Sequence, residues 1–109
     1  MRSFLAAILL VAIGATAHAD PQTAVSKRLA LEAELVVIAD RDIQTARIEQ
    51  DTARNELKRP GSNKPYWQGR LDGALREERE ASARYLAHRE GREMARAQLR
   101  RIQEQTARR

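Results

Sequence analysis

The sequence predicts an all-α protein. Two long helices fold into an antiparallel coiled-coil hairpin that self-associates. Three observations predict this. Residues 22–58 contain neither Gly nor Pro and carry an unbroken seven-residue apolar repeat. A second repeat runs through residues 67–102. Between them lies the one concentrated turn signal after residue 21, Arg59-Pro60-Gly61-Ser62-Asn63-Lys64-Pro65-Tyr66. A Pro-Gly pair followed by another Pro stops one helix and starts the next.

The chain of 109 residues has room for one small domain. Residues 1–19 read as a signal peptide. Arg2 is the short positive region, Phe4 to Ile13 the apolar stretch, and Gly14 its break. Ala17 and Ala19 are the small residues a signal peptidase inspects, so cleavage is expected before Asp20. That places the product in the bacterial periplasm or outside the cell. The alternative is an uncleaved anchor, because residues 3–19 are barely long enough to cross a bilayer. The chain has no cysteine. This excludes a lipid-modified cysteine and a disulfide scaffold, leaving helix packing or association to supply stability.

Helix 1 is expected over residues 20–58, with Asp20 as N-cap and Pro21 at the first helical position. Leu29, Val36, Ile43, Gln50 and Leu57 occupy heptad position a. Val25, Glu32, Ala39, Ala46 and Ala53 occupy d. The run Leu35-Val36-Val37-Ile38 resembles a buried strand in isolation, but the helical period around it argues for helix. Leu31, Leu35 and Ile38 widen the apolar face beyond a two-helix seam and predict a second contact surface.

The hinge is expected over residues 59–66 and helix 2 over residues 67–109, its pattern beginning near Pro65. Trp67, Ala74, Ala81, His88, Ala95 and Ile102 form one of its heptad series; Leu71, Glu78, Tyr85, Arg92 and Leu99 form the other. Gly69, Gly73 and Gly91 weaken this helix. The first two suggest close approach of a neighbouring helix or a frayed start, and Gly91 suggests a kink. Setting Leu57 opposite Trp67 produces the facing pairs by counting: Gln50 with Ala74, Ala46 with Glu78, Ile43 with Ala81, Ala39 with Tyr85, Val36 with His88. The charged pair of the register is Glu32 with Arg92. Asp40 and Asp42 fall near Arg84, Glu56 near Arg70, and Glu49 and Asp51 near Arg76.

The net charge of +5 is uneven: residues 20–58 sum to −2 and residues 59–109 to +6. An acidic arm before a basic arm predicts first that the arms attract each other. Arg100, Arg101, Arg108 and Arg109 outrun the acidic residues opposite them, so this end is expected to be positive and able to meet an anionic envelope surface. Nucleic acid is not expected, given export and few aromatic rings for stacking. Tyr66 and Trp67 at the hinge either anchor a partner or close the seam against Leu57.

No constellation points to catalysis. His88 is the only histidine after residue 18 and lies on the seam as a packing residue. The serines have no base at a meaningful spacing, and no phosphate-binding glycine loop occurs. No catalytic, cofactor or metal residues are assigned. The expected function is an exported, non-enzymatic interaction, scaffold or adaptor protein of the cell envelope, with a protein partner, a second copy, or both. The alternatives are a small holdase-type chaperone and, with the leader retained, a membrane-tethered coiled coil.

Overall fold

The computed structural model describes residues 20–108; residues 1–19, where a signal peptide is expected, and Arg109 lie outside them. The described residues form two helices, α1 (Pro21–Lys58) and α2 (Lys64–Ala107), packed side by side as an antiparallel hairpin. The Leu35–Ile38 run is helical throughout, as the surrounding period requires.

Among the described residues the buried ones are Val25, Val36, Ala39, Ile43, Ala46, Gln50, Ala53, Ala74, Ala81 and Ala95. Every one falls on an a or d position of the two heptad series. The seam is therefore dominated by alanine, and among the described residues no large side chain is completely buried. Small residues let the two backbones approach without voids, but each removes little apolar area from water. The hairpin measures 73 × 25 × 13 Å, one helix layer thick. Its surface of 8351 Å² exceeds the roughly 6,100 Å² expected of a compact monomer with the mass of the whole chain.

The hinge is shorter than the sequence suggests. Helix α2 begins at Lys64, so the connection is residues 59–63 and Pro65 and Tyr66 are already helical. Asn63 is the reason: its side chain accepts a hydrogen bond from the Tyr66 N–H at 3.2 Å, capping the helix, and Pro65 sits in the first turn. The preceding turn places Pro60 second and Gly61 third, with Gly61 at φ 79° and Ser62 N–H donating to the Arg59 carbonyl at 3.4 Å. This is the arrangement of a type II turn, whose third position favours glycine. Lys64 Nζ donates to the Leu57 carbonyl at 2.7 Å and so occupies one of the free carbonyls at the end of α1. At the other end Asp20 is the N-cap, but its carboxylate accepts from the Thr23 hydroxyl rather than from a backbone N–H.

The cross-helix bonds fix the register. Gln50 Nε2 donates to the Ala74 carbonyl at 3.4 Å, Arg84 meets Asp42 at 3.5 Å, and Arg47 meets Glu78 at 2.9 Å. These are the pairings, or immediate neighbours of the pairings, that counting from Leu57 and Trp67 produces. The ion pairs at three of the expected charges are local or shifted. Glu56 pairs with Arg59 at the start of the hinge and Asp51 with Arg54 within α1. Glu32 is engaged not by Arg92 but by His88, whose Nδ1 lies 2.8 Å from Glu32 Oε2.

Candidate docking faces

Two polar clusters interrupt the alanine seam. In the first, Glu78 accepts from Arg47 Nε through one carboxylate oxygen and from Gln50 Nε2 through the other, each at 2.9 Å. The Arg47 bond, then the Gln50 bond, holds the Glu78 carboxyl below the usual glutamate range, because both favour its charged form. Gln50 is only 4% exposed, and these bonds satisfy the amide that the seam buries.

The second cluster is Glu32, His88, Gly91 and Arg92. A Cβ placed on Gly91 would lie 2.9 Å from the Glu32 Cδ and 3.0 Å from each carboxylate oxygen. Glycine here makes room for the carboxylate that His88 holds. The helix is continuous through Gly91. Arg92 Nε is buried without a hydrogen-bond partner. At Gly69 and Gly73 an added Cβ would meet nothing within 4 Å, so neither glycine marks close helix approach, and both lie inside α2 rather than in a frayed start.

The heptad positions divide the outer surface into two long faces. In an antiparallel pair, g positions flank g positions and e positions flank e positions. The Asp42–Arg84 ion pair joins two g positions. One heptad along, Leu35 therefore stands across from Gly91. With the adjoining c positions, this face presents Leu31, Leu35 and Ile38 from α1 and Ala87, Gly91 and Met94 from α2. Leu31 and Leu35 are half-buried, while Ile38 is 43% and Met94 57% exposed. The opposite face carries Val37 and Leu86, at the b positions of the two helices, both exposed. Ile48 stands exposed on the back of α1, and Leu75 is half-buried.

Sequence reasoning picked out Leu31, Leu35 and Ile38, and gave Val37 and Ile48 no surface role. Their b and f heptad positions, outside the seam, were the available signal. It also missed the Glu32–His88–Gly91 arrangement, which heptad counting does not resolve.

The remaining candidates lie at the two ends. Tyr66 and Trp67 meet edge to face with ring centroids 5.0 Å apart; Tyr66 is exposed and Trp67 half-buried. They are thus brought together at the hinge tip, about the length of a helix from Arg100, Arg101 and Arg108, which are exposed near the open end. Arg109 falls outside the described residues. Among the described residues no three of His, Asp and Glu converge as metal ligands, and no helix is long and apolar enough to cross a membrane.

No known family model, curated protein or solved structure matches the chain.

Proposed function

We propose that this is a non-enzymatic interaction protein of the bacterial cell envelope, exported after removal of residues 1–19, that works by docking a helical face against a protein partner. The observation that supports this reading is the exposure of Val37, Ile38, Leu86 and Met94 on a hairpin one helix thick. Such side chains on both long faces are the pattern of a chain whose apolar surface is completed by something else. Its work is adaptor or scaffold work: a rigid rod with distinct faces and a basic end holds partners at fixed separation.

In-cell cross-linking of a tagged chain, read by mass spectrometry, tests this. One dominant envelope protein is expected, and Leu86→Asp should remove it while the purified variant keeps its helical circular dichroism. Equal capture by the variant would refute the docking role of this face.

A second reading is a holdase that keeps unfolded exported clients soluble. The basic side chains beside the apolar residues, such as Arg89 next to Leu86, favour it. It predicts suppression of aggregation of unrelated clients at equimolar amounts, weakened by salt. A broad client set in place of one partner would select this reading. A product that stays in the membrane and retains Met1 would instead mean a tethered coiled coil.

A further inference from the structure

The face bearing Leu35 and Gly91 is built to meet itself. We propose that two hairpins stack through this face about a two-fold axis that lies in the interface, crosses the hairpin at Leu35 and Gly91, and sends the two hinges to opposite ends. This deepens the interaction reading by making a second copy the occupant of one named face.

Counting outward from the axis gives the contacts. In α1 a residue a given number of positions before Leu35 meets the partner residue that many positions after it. Leu31, four positions before, then falls beside the partner's Ile38, three positions after, and Leu35 on the partner's Leu35. In α2 the same operation about Gly91 sets Met94, three positions after, beside the partner's Ala87, four positions before, a long side chain against a small one. The two glycines meet at the centre, each beside the Glu32 carboxylate that its own hairpin keeps bonded to His88. All these residues lie on g or c positions, and the α1 residues are exposed or half-buried in the single hairpin.

The charges at the margins agree with the same axis. Seven residues either side of Leu35 are Arg28 and Asp42. Arg28 thus reaches the partner's Asp42, already paired with an arginine of its own hairpin at 3.5 Å. In α2, Glu80 lies eleven residues before the axis and meets the partner's Arg101, ten residues after it. Among the g and c residues of the matched stretch no pair of like charges faces across the interface. The other possible two-fold, along the hairpin axis, stacks Asp42 on the partner's Arg84 but Glu49 on the partner's Glu77, which is repulsive. Complementary charges select orientation and register even where they add little stability. Arg101, in excess at the open end of one hairpin, acquires a function in the pair.

The size is also appropriate. The matched stretch of α1 runs from residue 24 to 45, about 33 Å of helix. Two helices wide, it covers on the order of 600 Å² per copy, near the lower end of specific interfaces. The product is a four-helix bundle. Val37, Leu86 and Ile48 remain outside it, so a dimer leaves the second face free for another protein.

Because the chain has no cysteine, single cysteines report the geometry directly. Purified protein should sediment at twice the chain mass. Leu35→Cys should oxidise rapidly to a covalent dimer, since the axis brings this position to its own copy. Val37→Cys, on the opposite face, should oxidise at least tenfold more slowly. Leu35→Asp should sediment as a monomer with its helical circular dichroism retained. A monomeric mass for the unmodified protein at tens of micromolar, or equal oxidation at positions 35 and 37, would overturn the proposal. Loss of envelope capture in Leu86→Asp while the dimer persists would leave both readings standing. A monomer that still captures its partner through Leu86 would sink the dimer alone. A dimer that captures nothing would sink the adaptor reading alone.

Discussion

Replacing Gly91 with alanine sets helix propensity against a specific contact. An alanine in a helix interior is favoured over glycine by about 1 kcal/mol. Gly73 supplies the reference, because an added Cβ there meets nothing within 4 Å. Gly73→Ala should raise stability by about that amount, or Tm by roughly 4–8 °C for a domain of this size. At Gly91 the same gain is opposed. The new Cβ would lie 2.9 Å from Glu32 Cδ, against the roughly 3.5–4.0 Å of a relaxed carbon contact. The carboxylate must retreat, and it is held by His88 at 2.8 Å. A hydrogen bond to a charged group contributes about 1.5–3 kcal/mol, less here because water reaches the pair. Gly91→Ala should therefore be neutral or destabilising, at least about 1 kcal/mol below Gly73→Ala. In a Glu32→Ala background the obstacle is gone, and Gly91→Ala should recover its gain of about 1 kcal/mol. Urea and thermal denaturation at one protein concentration, followed by circular dichroism, measure all corners of the cycle, and effects of self-association shared by the two backgrounds cancel. If Gly91→Ala stabilises the unmodified protein as much as Gly73→Ala does, the carboxylate moves freely and the glycine is not needed for it.

Three other perturbations follow from the seam and the hinge. Glu78 has its pKa depressed by Arg47 and Gln50, so its contribution is present above the ordinary glutamate pKa and is lost as pH falls through the lower, folded value; Glu78→Gln should flatten this part of the acid limb in a pH series of urea melts, with high salt diminishing the difference. Ala81 is 1% exposed in a seam too narrow for a larger side chain, so Ala81→Leu should destabilise by about 1–3 kcal/mol, read as a lower urea midpoint; a higher midpoint would mean the helices separate without cost. Gly61 sits at φ 79° with open space around it, so Gly61→Ala should cost about 1–2 kcal/mol from backbone strain alone, while Gly61→Asn, which tolerates that region, should cost less in the same melts.

The sequence by itself determined the hairpin, the seam and most of the register. A seven-residue repeat without Gly or Pro leaves a helix few alternatives, and one Pro-Gly turn between two such repeats leaves only a reversal. Gln50 with Ala74 and Asp42 with Arg84 follow from counting, because heptad positions place backbones and Cβ atoms. What counting cannot place is the end of a long side chain. Glu32 lies within a turn of both Arg92 and His88, and the space left by Gly91 decides where its carboxylate rests. Glu56 and Asp51 likewise found arginines three residues further along the chain before reaching across. The start of α2 also needed the structure: the Asn63 side chain, bonded to the Tyr66 N–H, draws Lys64, Pro65 and Tyr66 into the helix. The composition of each face was in the sequence. That Leu31, Leu35 and Ile38 share one side with Gly91 and Met94 follows only once the two helices are set side by side, because a shared face depends on both phases and on the register between them.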